Sequence, residues 1–303
     1  ATPAGMVAHN ISRNNYAKIA EEMILYSRLD VILGAGNPYY DNSAQKQDSS
    51  AWDFSYVGGS RVWSSLLAGK VTNLDGAHWT LTQNATTIDS IAKGLRKTPA
   101  ALIGVMPVYE TLQQRRTSVL ANATLEPTPY TTPLNANVSN LPSLSLAALQ
   151  VLNQNTKGFF VMIEGGAIDW TGHSNQSARL IEEGMDFLDA VDSVCAWINR
   201  HGGPDSTLLI VTADHETGYL SGPSGLGSEI VLNAKGVMPG FKWNTYNHTN
   251  QLVRLYAQGT HSANLLNWIN GTSPVQGSYT DNALVGQYLH SMLDIPLTEA
   301  RRR

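Results

Sequence analysis

Two strand-like runs end in chemistry. GFFVMIE (Gly158–Glu164) leads into GGAIDWTGH, and TLLIV (Thr207–Val211) leads into TADHETG. Between them these loops carry six acidic or imidazole side chains: Glu164, Asp169, His173, Asp214, His215 and Glu216. A protein core excludes such groups unless something pairs with them, because an unpaired buried charge is very costly. Asp, Glu and neutral His are also the donor set of a zinc or mixed zinc/magnesium site. In an open parallel sheet, ligands bind beyond the carboxyl ends of the strands, so both loops are expected to face one crevice. Solvated loop charges are the plain alternative.

Asp169 and His173 stand four apart, on one side of a helical turn if one starts there. Asp214 and His215 are adjacent and can share an ion only in a loop, since strand neighbours point to opposite faces.

The rest of the chain alternates helix and strand signals, which predicts an α/β fold: a mostly parallel central sheet with helices on both faces. Helices are expected at 14–27, 88–95, 141–155, 176–200 and 281–292. Strands are expected at 30–34, 101–106, 158–164, 207–212 and 251–257. In the longest helix Leu180, Ile181, Met185, Leu188, Val191, Cys195 and Ile198 recur at three- and four-residue spacing, defining an apolar face, and Gly202 and Gly203 end it. One α/β domain over residues 1–303 is expected. Segments 36–87 and 125–142 are read as surface insertions over the sheet edge, and 221–246 as a small Gly-rich cap.

Bulk properties exclude several classes. A hydrophobic fraction of 42% with 15% charged residues suits a globular chain with a sizeable core. A net charge of −4 offers no basic stripe for nucleic acid, and the one basic run, Arg301–Arg303, reads as a frayed tail. No stretch approaches the roughly 20 apolar residues of a membrane span. Cys195 is the single cysteine, so an intrachain disulfide is impossible, and its helical setting predicts a buried structural thiol.

EGGAIDWTGH and VTADHETG resemble the two most specific motifs of the alkaline phosphatases. HTNQLV (His248–Val253) is similar to that family's late HTG-type motif, ATPAGMVAHNISR (Ala1–Arg13) to its magnesium- and phosphate-binding stretch, and DVILGAG also matches. The resemblance implies one zinc on Asp169, His173 and His248, a second on Asp214 and His215, and one magnesium on Thr2 and Glu164. Arg13 would grip two phosphate oxygens with its planar fork. It further implies phosphomonoester substrates, a homodimer and a periplasmic or secreted location.

The departures are informative. The family's nucleophilic serine, in an Asp-Ser-Ala-type motif, and a bridging aspartate lie upstream of ATPA and are not in this sequence. Ser43, in DNSAQ, imitates the motif but follows DVILGAG, where the family places an unrelated loop. The chain is therefore read as the C-terminal portion of a longer enzyme, lacking N-terminal strands and inactive alone. Trp170 resembles a subset of marine and cold-adapted bacterial members, which pair it with a histidine this sequence does not include. Its indole either shapes the magnesium environment or simply packs.

Rivals are a phosphodiesterase or sulfatase of the same superfamily, a non-catalytic metal- or phosphate-binding protein, and a purely structural module. Among the histidines, His261 competes with His248 as the late ligand, and the HTNQLV match favours His248. His9 and His78 are expected to be structural or exposed, His201 to contact the last carbonyls of its helix, and His290 to be partly exposed.

Overall fold

The computed structural model describes residues 2–292; Ala1 and the Arg301–Arg303 run lie outside them. A short helix α1 (Thr2–Gly5) precedes α2 (Tyr16–Leu25), β1 (Val31–Gly34), α3 (Ser60–Leu67), β2 (Trp79–Thr82), α4 (Ala85–Ala92), β3 (Ala101–Val105) and α5 (Leu141–Leu152). Then come α6 (Ala167–His173), α7 (Ser177–Arg200), β4 (Leu208–Val211), β5 (Glu216–Thr217), β6 (His248–Thr249), β7 (Tyr256–Gly259), β8 (Gly271–Ser273), β9 (Gly277–Tyr279) and α8 (Asn282–Met292). Where one domain was expected, the chain divides into two compact units. The first runs to Cys195 and includes Ile230–Gly240; the second comprises Ala196–Glu229 and the chain from Phe241 on. The expected cap at 221–246 is thus shared out, with Ser221 bridged to Lys242 in the second unit and Val231 to Gly240 in the first.

The first unit is built on a parallel sheet of order β1-β3-β2. Central β3 alternates its side chains between two cores, as a strand buried on both faces must. Ala101, Ile103 and Val105 join Ile24, Trp63, Leu66 and Trp79, so α2 and α3 cover that face. Leu102 joins Ile88, Ile91, Leu144, Ala147 and Val151, so α4 and α5 cover the other. Asparagine starts both of those latter helices. The Asn84 side chain accepts from the Thr86 and Thr87 amides, and the Asn140 side chain from the Ser143 amide.

Several expectations need correction. Segment 36–87 does not lie over the sheet edge; it forms that edge, supplying α3 and β2 and burying Trp63 and Trp79. Its aromatic rings pack edge to face, Tyr39 against Trp52, Phe54 and Trp63. Segment 125–142 likewise reaches inward: Glu126 and Thr132 are buried, and the carbonyls of Thr132 and Pro133 accept from the Arg116 guanidinium. Gly158–Glu164 runs without regular secondary structure, leaving Phe159 and Phe160 partly exposed. Its apolar composition suits a pleated surface, but a strand also requires a continuous ladder.

The second unit pairs its strands antiparallel, β4 with β7, β5 with β6 and β8 with β9. The strand expected at 251–257 is displaced to Tyr256–Gly259.

Helix α7 departs most from its sequence pattern. Met185 and Leu188 of the predicted apolar face are 46% and 57% exposed, whereas Arg179 and Glu182 are 1% and 4% exposed. Those charges are tolerated because each is paired. Arg179 Nη2 donates to Glu126 at 2.7 Å, and Arg116 Nη2 donates to Glu182 at 2.7 Å. Cys195 is half-buried, not sealed in a core. The glycine stop holds: Gly202 and Gly203 take positive φ values of 101° and 72°, which L side chains rarely adopt.

Candidate metal centre

In the first unit the donors ride on α6. The helix starts just after Glu164-Gly165-Gly166, where the chain passes close to α7 at Phe187. A Cβ on Gly165 would come within 2.9 Å of Phe187 Cδ2, and one on Gly166 within 3.2 Å of the Glu164 carboxyl carbon. Thr171 is fully buried and its hydroxyl donates to the Ile168 carbonyl at 2.6 Å, anchoring the inner face. Asn175, at φ 50°, ends the turn, and the Gln176 amide closes back on the Thr171 carbonyl at 2.9 Å. On the outer face Asp169 Oδ1 and His173 Nε2 stand 3.5 Å apart, both partly exposed. The expected four-residue relation on a helix is therefore realised.

Arg179 and Glu182, one member of each buried ionic pair, follow this helix at the start of α7. Arg179 also donates to the carbonyls of Gln114 and Arg116, and Glu126 accepts from Ser118 and Thr132. Burial works against the Glu126 carboxylate, but Arg179, Ser118 and Thr132 prevail and hold its pKa down at about 2. Glu183 is the opposite case. Burial, reinforced by Asp186 and Glu182, pushes its pKa up to about 7, and its Oε1 has no hydrogen-bond partner among the described residues.

Trp170, next to Asp169, lies beneath Arg115, whose Cζ is 4.8 Å from the indole centroid. Glu164 is exposed at the start of the turn, Thr2 is half-buried in α1, and Arg13 is exposed in the turn before α2. Ser43 is engaged in a loop: its hydroxyl donates to Thr117 Oγ1 at 2.9 Å and accepts from the Thr117 amide at 2.9 Å.

In the second unit Asp214 and His215 sit between β4 and β5 in a loop, as their adjacency demanded, with Asp214 Oδ2 and His215 Nε2 3.4 Å apart. The β5–β6 pairing sets Thr217 opposite His248. The His215 and His248 rings stack with centroids 3.6 Å apart, and Thr217 Oγ1 lies 3.3 Å from His215 Nδ1. Glu216, the sixth group of the two motifs, acts as a brace: its carboxylate accepts from the Thr249 hydroxyl and the Tyr219 amide. His261 is exposed at the start of another turn, its backbone carbonyl accepting from the Tyr288 hydroxyl at 2.7 Å.

The other histidines behave as expected. His201 meets the Trp197 carbonyl at 2.8 Å and stacks on its ring; His9 is exposed beside Glu22; His78 is exposed and His290 half-buried. Carboxylate oxygen beside imidazole nitrogen, twice over, fits a zinc-type ion by donor chemistry. No helix among the described residues is long and apolar enough to cross a membrane.

The sequence profile of the alkaline phosphatases matches residues 1–239. The chain is 27% identical to the alkaline phosphatase of Escherichia coli over 320 aligned positions, covering 94% of this chain and 62% of that protein. It resembles the solved alkaline phosphatase of the Antarctic bacterium TAB5 at 25% identity and a TM-score of 0.55, covering 86% of this chain and 62% of that one. The cold-active enzyme of a psychrophilic Shewanella gives 25% identity and a TM-score of 0.57, over 86% of this chain and 67% of the other. The chain thus spans less than two thirds of the length of the curated relative. On the profile match and these likenesses, the chain belongs to the alkaline phosphatase family.

Proposed function

We propose that this chain carries the metal- and phosphate-binding residues of a phosphomonoester hydrolase releasing an alcohol and inorganic phosphate. The observation that carries the reading is the pair of motifs EGGAIDWTGH and TADHETG, each presenting a carboxylate oxygen within 3.5 Å of an imidazole nitrogen. In this reading Asp169, His173 and His248 hold one zinc, Asp214 and His215 hold part of a second site, and Thr2 and Glu164 contribute to a magnesium site. When bound, a zinc pair supplies Lewis-acid stabilisation of the phosphoryl charge and an acidified water of pKa near ~7. Arg13 grips two phosphate oxygens through its planar fork, orienting the ester for in-line displacement. Thr217 orients the His215 ring through Nδ1, and Glu216 keeps the β5–β6 ladder that carries His248 in place.

The reaction runs through a phosphoserine whose serine is supplied from outside these 303 residues, so this chain alone binds metal without turnover. Ser43, bonded in its loop to Thr117, does not serve. A homodimer exported to the periplasm or medium completes the reading by family likeness.

Elemental analysis and p-nitrophenyl phosphate hydrolysis test it together. The chain should retain zinc after gel filtration and show no metal-dependent turnover, whereas the enzyme containing it should hydrolyse monoesters in preference to diesters and sulfate esters. Absence of zinc would remove the metal reading; normal turnover by the chain alone would remove the external serine.

A further inference from the structure

Arg115 belongs to none of the motifs, yet it is tied to the helix that bears Asp169 and His173. Its guanidinium carbon lies 4.8 Å from the Trp170 ring centroid. Its Nε lies 3.5 Å from Glu110 Oε2. Glu110 is itself fixed from both sides of Asn42: Asn42 Nδ2 donates to that same Oε2 at 2.9 Å, and the Glu110 amide donates to Asn42 Oδ1 at 2.8 Å. Arg115 also lines a cleft of about 240 Å³ together with Ser174 and Gln176, the residues that follow α6. Arg115 therefore meets α6 at Trp170 and shares a cleft with the residues just after the helix.

The helix geometry gives this contact a consequence. Trp170 directly follows Asp169 and precedes His173 by three, and side chains three apart are neighbours on a helix surface. The two rings therefore occupy adjoining positions on the helix surface, where the orientation of one bears on the rotamers open to the other. A planar guanidinium stacked on an indole fixes the plane of that ring better than an ammonium, because it adds face-to-face contact to the attraction between cation and ring.

We propose that Arg115 is a positioning residue for the metal-ligand helix: anchored by Glu110 and Asn42, it clamps the Trp170 indole and thereby holds the His173 imidazole in its ligating orientation. The proposal rests on the reading of Asp169 and His173 as metal ligands. It assigns to Trp170 a second tie that the sequence pattern does not contain.

The test begins without metal. In the full chain with ¹³C-labelled histidine, Arg115→Ala should shift or broaden the His173 imidazole signal, and the same substitution in a Trp170→Leu background should add no further change. Glu110→Gln, one contact further along from Trp170, should move the signal in the same direction by less. With zinc alone as probe, titration calorimetry should show Arg115→Ala weakening uptake about threefold, the size of a half-exposed cation–ring contact, with Arg115→Lys recovering less than half of that loss.

An unmoved His173 signal in both Arg115→Ala and Glu110→Gln overturns the proposal. So does an equal effect of Arg115→Ala with Trp170 present or replaced, which would make Arg115 a general structural residue. If the wild-type chain takes up no zinc, the metal reading fails, and the metal-free His173 signal still decides whether the clamp exists.

Discussion

The two donor pairs reach nearly the same spacing by different routes. Asp169 and His173 are 3.5 Å apart because a helix brings residues four positions apart to one side. Asp214 and His215 are 3.4 Å apart because they are chain neighbours in a loop, where no regular backbone fixes their directions. The helical pair gets its geometry from α6, anchored on its inner face by buried Thr171 and continued by α7 with its buried ionic pairs. The loop pair gets its geometry from side-chain braces: Thr217 on His215, His248 stacked against it, and Glu216 on Thr249. One arrangement should fail as a unit, and the other piece by piece.

The strongest way to break the contrast is Arg179→Met. It leaves Glu126 charged and buried without its partner, at a cost of about 3–5 kcal/mol, read as a lower urea midpoint. Zinc held by Asp169 and His173 should be lost in the same step, while Asp214 and His215 keep their local geometry.

Next in size is the pH response of the same scaffold. Glu183 has a raised pKa in the fold, so it is protonated there while the unfolded chain has already released its proton. Stability therefore falls as pH rises from about 4.5 through about 7. Glu183→Gln should remove that fall and leave the variant more stable at pH 8, by on the order of 3 kcal/mol. Glu126 has a depressed pKa, so its contribution is complete above about 4.5 and is lost as pH falls toward about 2. Glu126→Gln should flatten that acid limb. Urea titrations across pH 2–8 would show both effects; a flat wild-type profile would remove the electrostatic account of the scaffold.

A smaller effect belongs to the loop. Thr217→Val removes the hydroxyl beside His215 Nδ1 and should weaken zinc there by about tenfold, the lower end for loss of a ligand's supporting hydrogen bond. The helical pair should be untouched, which calorimetry in the Asp169→Asn background would separate. Smallest of all is Arg28→Ala. Its partner Asp75 is at the surface, and the melting temperature should not move measurably.

Sequence reasoning found what is local. Helices α2, α4, α5 and α7 and strands β1, β3 and β4 fall within a few residues of their expected bounds, because periodicity and capping are written in adjacent residues. The donor pairs were readable for the same reason. What escaped was non-local. Arg179 and Glu182 look like a solvent face until Glu126 and Arg116, more than fifty residues away, neutralise them. Segment 36–87 has the Ser- and Gly-rich composition of a loop, and only packing shows that Trp63 and Trp79 are core. Arg115 gave no signal at all, since its role exists only where Trp170 lies beneath it.

The contact between Gly165 and Phe187 has a bearing on how this site can change through mutation. The turn that opens α6 lies there against the Phe187 side chain of α7, so a methyl group at Gly165 has to push that ring aside. A randomised library at Gly165 should favour glycine over every larger residue, whereas ligand positions can still exchange one donor for another. Adaptation to a different ion is open along the donor side chains and narrower at the seam beneath them.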